Sequence, residues 1–257
     1  MSFILNLKQS KSKLNRLLMV TFCITLSVAC QKDKAIHAPI INQEDSASDE
    51  AEIKTLASAL NLQAYSEEEK VTRRLQDLAK IHQAKLQGLE HRLKTKSSTL
   101  RKLKKMHFDA PELPLKKLKL SDALRYTIEV SDQPEGHYVK TVQTVLKDLE
   151  TQGYKILKVK NYWPKGDNYS GVNTVLANAE GFEWELQFHT PSSYQESKQS
   201  HGQYEKLRAI GTPLEERQRL FKSMSQPWET VGIPKGVLEP ENLHEIEVIK
   251  KWDAPKE

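Results

Sequence analysis

The sequence predicts an α/β (α+β) chain, a mixed β-sheet with flanking helices and an N-terminal helical arm. Three observations predict it. Strand-type runs alternate with helix-type runs from residue 124 to about 208, the strand set closes on a hairpin, and a leucine-spaced helical stretch precedes them.

The first segment stands apart from that domain. Lys8, Lys11, Lys13 and Arg16 precede an apolar run from Leu17 to Ala29, too short for a comfortable membrane span and shaped like an export signal. The run ends Leu26-Ser27-Val28-Ala29-Cys30, which resembles a bacterial lipoprotein signal with Cys30 as the lipidated residue. Ser27-Val28-Ala29 also suits ordinary signal-peptidase cleavage, so simple secretion stays open beside a lipid anchor on the periplasmic face of the envelope. Residues 1–29 contain four of the 39 basic residues and no acidic one, which leaves 35 basic against 34 acidic. A near-neutral chain of this kind offers no overall charge argument for a nucleic-acid partner. Cys23 departs with the signal, and Cys30 alone allows no intrachain disulfide.

Residues 30–65 read as a tether, residues 31–56 of it containing Ser46-Ala47-Ser48-Asp49-Glu50 and little apolar matter. From Glu67 to about Lys105 the pattern turns helical: Leu75, Leu78, Ile81, Leu86, Leu89 and Leu93 recur near helical spacing. Pro111 and Pro114 end that run. Leu124–Val130 reads as a strand, Tyr138–Gln152 as a helix closed by Gly153, and Tyr154–Val159 as a second strand. A hairpin over residues 169–191 turns at Asn178-Ala179-Glu180-Gly181, and helices follow from about Ser193 to Arg208 and from Leu214 to Lys222. The main domain is therefore placed at 66–230, with 231–257 a tail of little pattern.

The hairpin poses the chemical question. Trp184, Leu186 and Phe188 alternate with Glu185, Gln187 and His189, so one face goes to the core and the other carries a polar row, with Asn173 of the neighbouring strand close by. An antiparallel hairpin with one wet face explains this without chemistry. A carboxylate beside a histidine also suits metal or acid–base work, although no HExxH or CxxC pattern marks a zinc site.

Four segments in order resemble the RelA/SpoT-type alarmone synthetases, a family that includes small stand-alone synthetases and toxin relatives. Arg92-Leu93-Lys94-Thr95-Lys96-Ser97-Ser98-Thr99-Leu100-Arg101-Lys102 resembles R-V-K-S-x-x-S-I-x-x-K. Asp122 and Arg125 stand where the family has an acid followed by an arginine on a strand, here with two residues between them rather than four. Pro164-Lys165 through Asn173 is similar to P-K-x-N-G-Y-x-S-L-H, with Asn173 in place of His. Glu185-Leu186-Gln187-Phe188-His189-Thr190 is similar to E-I-Q-I-R-T, with His189 in place of Arg, and His201-Gly202-Gln203-Tyr204 follows in the place of E-H-x-x-Y-K. The resemblance covers about residues 90–208.

It implies a nucleotidyltransferase-like domain that moves pyrophosphate from ATP to a ribose 3′-hydroxyl with Mg²⁺. Asp122 and Glu185 would hold the metal and do the chemistry. Arg92, Lys94, Ser98, Lys102 and Arg125 would grip ATP, while Lys165, Tyr169, Asn173, Gln187, His189 and His201 would hold the acceptor. The acceptor would be a guanine or adenine nucleotide or an RNA end. The eight histidines are scattered without a metal-spaced His-Asp pair, so no hydrolase half is visible. Three readings follow: an active pyrophosphokinase, including an exported toxin or effector; an inactive lipoprotein that binds a nucleotide, RNA or protein; and a structural envelope lipoprotein. Residues 80–120 hold twelve Lys or Arg against three Asp or Glu, but no interleaved aromatics that would stack bases.

Overall fold

Alternation along the last hairpin strand decides where the core lies. In β5 (Glu183–His189) of the computed structural model, Trp184, Leu186 and Phe188 are each 0% exposed, while Glu185 and Gln187 on the opposite face are half-buried. The structure describes residues 43–164, 169–209, 211–239 and 246–248; the export segment, Cys30 and Lys165 lie outside the described residues.

The described elements before β5 are α1 (Gln43–Ile81), β1 (Lys85–Gln87), α2 (Lys96–Asp109), β2 (Arg125–Glu129), α3 (His137–Thr151), β3 (Lys155–Asn161) and β4 (Val172–Ala177). After it come α4 (Pro191–Leu207), α5 (Leu214–Trp228) and β6 (Ile246–Val248). The sheet has six strands in the order β1-β2-β5-β4-β3-β6, with β2–β5 and β3–β6 parallel and the other neighbours antiparallel. This is the mixed sheet with flanking helices that the alternation predicts.

One apolar layer joins the sheet's inner face to helices α1 and α3. Tyr126 and Ile128 of β2, Trp184 and Phe188 of β5, Val142, Leu146 and Leu149 of α3, and Val71, Leu75 and Leu78 of α1 share it. Burying each such large side chain is worth roughly 1.5–3 kcal/mol, so this layer outweighs any surface pair. The hairpin turn follows its residues: the Asn178 side chain accepts from Phe182 N at 2.8 Å, and Gly181 takes the left-handed conformation at φ 82°.

Two expectations are corrected. The helix expected from 67 to 105 is two helices separated by a strand. It stops at Ile81, the chain reverses through Gln83 (φ 53°) and Gly88 (φ 62°), and β1 pairs with β2 before α2 restarts behind the Thr95 cap. The leucine spacing is continuous across the break because Leu86, Leu89 and Leu93 still pack on the core, from a strand and turns instead of a helix. The second correction concerns the tether. From Gln43 onward it is the first half of α1, and Ile53, Ala57 and Ala64 recur on one helical stripe that packs into the core. Leu56 and Leu60 pack beside them, and the charged and polar residues between make the segment look barely apolar. Among the described residues no helix is long and apolar enough to cross a membrane.

The outer face of the sheet is where polar residues collect, and α4 begins directly after the C-terminal end of the interior strand β5. Thr190 caps α4 by accepting from Ser193 N at 3.2 Å, and Pro191 supplies the first turn. Helices α4 and α5 pair through Leu207, Leu220, Met224, Tyr204 and Phe221, a small apolar cluster separate from the main core.

Candidate functional site

Register builds the floor of the site. Parallel pairing sets Arg125 beside Glu185, Thr127 beside Gln187 and Glu129 beside His189, and antiparallel pairing sets Asn173 beside Gln187. The Gln187 amide donates to Glu185 Oε1 at 2.6 Å, so neighbours on β5 are tied together.

A charged cluster stands at the N-terminal end of β2. Lys94 N donates to Ala123 O at 3.0 Å and Arg125 N donates to Arg92 O at 2.8 Å, which straps the segment before α2 against the residues entering β2. That strap delivers Lys94 Nζ to 3.0 Å from Asp122 Oδ2, and the second turn of α2 delivers Lys102 Nζ to 2.8 Å from the same oxygen. Asp122 Oδ1 is buried with no hydrogen-bond partner. Burial pushes the Asp122 carboxyl up, but the ammonium groups of Lys102 and Lys94 outweigh that and hold it below its ordinary value. Burial lowers Lys94, with Asp122 opposing.

Glu185 faces this cluster. Its pKa is raised, first by burial; the Arg125 cation opposes that shift and the Asp122 anion adds to it. A carboxylate whose proton affinity burial has raised is a better proton acceptor than an exposed one. Arg208, at the end of α4, lies within electrostatic reach of Asp122 and rests over the Tyr204 ring at 5.2 Å. Glu205 lies 3.5 Å from Arg101 of α2 and 3.8 Å from Arg208, linking α2 to α4. Sequence reasoning missed Arg208, whose one signal was the i, i+4 spacing from Tyr204.

A second group lies at the far end of β5. The Tyr169 hydroxyl donates to Asn173 Oδ1 at 2.7 Å and lies 2.9 Å from His189 Nε2. The neutral imidazole thus sits between two hydroxyls, Nε2 by Tyr169 and Nδ1 3.0 Å from that of Ser193. Gly171 allows this approach, since a Cβ there would lie 3.1 Å from His189 Cε1 and 3.3 Å from the Tyr169 hydroxyl.

The structure thus corrects the wet-face expectation for His189, which is 1% exposed. Segments remote in sequence cover it: Tyr169 packs edge-on at 5.2 Å and itself lies 5.9 Å from Trp228 of α5. Tyr169, which the resemblance sets against the acceptor, is engaged by Tyr162, His189 and Trp228. The site residues therefore form two groups, Lys94, Lys102, Asp122, Arg125, Glu185 and Gln187 in one, and Tyr169, Asn173 and His189 in the other. Ser98 sits in the first turn of α2 with its N–H and hydroxyl engaged by Thr95, and Arg92 pairs with Glu68. His201 is exposed on α4, and among the described residues no hydrogen bond or ion pair joins it to either group.

Burial and the nearby Arg125 push His189 down to about 3 from 6.5, against a hydrogen bond to the Ser170 backbone. The unfolded chain therefore takes up a proton below pH 6.5 that the folded chain refuses until about pH 3, so stability falls as pH drops through that window. Urea unfolding should show wild type losing about 2 kcal/mol between pH 6.5 and 5 through this group. His189→Gln should remove that component, and equal pH slopes in the two proteins would contradict the assignment.

Among the described residues no three or more His, Cys, Asp or Glu side chains converge as a metal cluster. The partnerless Asp122 Oδ1 and the adjacent Glu185 do suit a hard divalent ion that takes one or two carboxylates and completes its shell with water and phosphate.

No protein-family model matches the chain, and no curated protein matches it in sequence. Solved structures do. The complex of the Type VI effector Tas1 with its immunity protein aligns at 21% identity and TM-score 0.43, over 67% of this chain and 94% of that one. The small alarmone synthetase 1 of Bacillus subtilis bound to its product pppGpp aligns at 14% identity and TM-score 0.46, over 65% and 88%. The small alarmone synthetase 2 of the same organism aligns at 16% and 0.44, over 64% and 88%.

Proposed function

We propose that this chain is an ATP-dependent nucleotide pyrophosphokinase. The observation that carries the reading is the meeting of Lys94, Lys102, Asp122 and Glu185 on one half-buried floor, from three separate segments that resemble the alarmone-synthetase motifs.

In this reading the acceptor's ribose 3′-oxygen attacks the β-phosphorus of ATP, the bond from that phosphorus to the α-phosphate oxygen breaks, and AMP leaves. Glu185 accepts the hydroxyl proton. Lys94, Lys102 and Arg125 supply positive charge along the triphosphate, and on nucleotide binding the two lysines exchange part of their contact with Asp122 for phosphate oxygens. Asp122 and Glu185 would hold Mg²⁺, which when bound offsets phosphate charge. Acceptor contacts fall to Gln187 and Asn173, with the Tyr169 hydroxyl holding Asn173, and with a guanine or adenine nucleotide or an RNA end as acceptor class. Residues 1–29 serve as export signal and Cys30 as lipid anchor in the same proposal, on the sequence pattern alone.

Calorimetric titration tests the nucleotide end. Arg92→Ala should weaken ATP binding about ten-fold, the worth of one charge-assisted contact, with the fold intact. Identical affinity in the two proteins would take Arg92 out of the site. A binding module without turnover is favoured by one observation, the enclosure of Tyr169 and His189 by packing partners, and is separated from the enzyme only by turnover.

A further inference from the structure

Arg92 is held from a direction that its own segment does not supply. Glu68 of α1, 24 residues earlier, accepts from Arg92 Nε at 2.5 Å, and Arg92 Nη1 donates to Leu89 O at 2.5 Å. Glu68 is itself fixed. Its Oε1 accepts from the Thr72 hydroxyl at 2.7 Å, and its backbone oxygen accepts from the Tyr126 hydroxyl at 3.0 Å. Tyr126 is 1% exposed on the core face of β2, one residue after Arg125 of the floor.

This arrangement leaves the guanidinium with one edge occupied. Among the described residues Nη2 has no hydrogen-bond partner, and the side chain is 30% exposed. The backbone needs no help from the pair, because Arg92 O already accepts from Arg125 N at 2.8 Å and Arg92 N donates to Leu89 O at 3.3 Å. A partly exposed ion pair adds little net stability. What a carboxylate on the Nε edge does supply is orientation: it sets the guanidinium plane and leaves the Nη2 corner and the flat face for a ligand.

We propose that Glu68 is a positioning residue for nucleotide binding, acting through Arg92 by holding its guanidinium in the orientation that meets ATP. The inference rests on the nucleotide-binding reading above. It makes α1 a part of the site, which the sequence motifs place wholly after residue 90. Glu68 acts by preorganisation: an arginine already immobilised loses less freedom when the ligand arrives.

The experiment is calorimetric titration of the whole chain with ATP and Mg²⁺, comparing wild type, Glu68→Ala, Glu68→Gln, Arg92→Ala and Glu68→Ala with Arg92→Ala. Glu68→Ala should weaken ATP about three- to ten-fold, on the scale of one unfrozen long side chain. Glu68→Gln, which keeps an acceptor oxygen, should recover much of that loss. The double variant should bind no worse than Arg92→Ala alone, because the effect passes through the arginine. Glu68→Ala affinity equal to or tighter than wild type overturns the proposal, as does a double variant that loses the product of the single effects. A melting temperature that falls with affinity unchanged gives Glu68 a purely structural role and also overturns it. Failure of the nucleotide reading itself shows separately, as a wild-type chain that does not bind ATP; the proposal then falls with it.

Discussion

Glu185→Gln lowers pyrophosphate transfer by about 10²-fold or more while leaving the melting temperature unchanged or higher. Gln keeps the shape and an acceptor oxygen for the Gln187 amide, but it can neither take the acceptor's proton nor carry charge toward a cation. The stability half follows from the sign of the shift. A carboxyl whose folded pKa lies above its ordinary 4.5 makes ionisation unfavourable to folding, so above that raised value the wild type bears a cost that Gln lacks. The difference fades as pH falls toward 4.5. Steady-state rates with thermal melts at pH 7 check both halves, and a variant that loses stability in step with activity would make Glu185 a structural residue.

Asp122→Asn should have an activity effect as large, about 10²-fold or more, with the opposite stability outcome. It removes the carboxylate that lies 3.0 Å from Lys94 and 2.8 Å from Lys102, and Lys94 is then left half-buried beside another ammonium. The pair is partly solvated, so the loss should be about 1–3 kcal/mol, between the exposed and buried limits. Because the folded Asp122 carboxyl lies below its ordinary 3.8, its stabilisation is fully present above that value and is lost as pH falls through the lower folded one. The measurement is urea unfolding at pH 7 and pH 3 beside the rate. Unchanged stability at pH 7 would mean that the three side chains do not depend on one another.

How much of this was legible depended on how local each signal was. The hairpin 172–189, strand β2 and helix α3 declare themselves because alternation, helical spacing and the glycines at 153 and 181 lie within a few residues of the elements they shape. The meeting of Asp122 with Lys94 and Lys102 followed from motif resemblance and not from any local pattern. Strand β1 was unreadable, since its three residues gain their backbone partners from Thr127, Ile128 and Glu129, some forty positions on. Separation in sequence likewise hid the packing of Tyr169 on His189 and on Trp228, and the Glu68–Arg92 pair. Helix α1 was hidden differently: its early core residues, Ile53, Leu56, Ala57, Leu60 and Ala64, are interleaved with charged and polar ones in a stretch whose composition reads as linker.

The central claim is that the Asp122–Glu185 floor transfers pyrophosphate from ATP. Its most direct test is AMP release by residues 31–257 incubated with ATP, Mg²⁺ and a panel of guanine nucleotides, adenine nucleotides and RNA 3′ ends, with Glu185→Gln run in parallel. The account predicts AMP and an equal amount of 3′-pyrophosphorylated acceptor from the wild type, and about a hundredth or less from the variant. ATP bound by the wild type with no AMP formed from any acceptor, or AMP formed equally by both proteins, would contradict it.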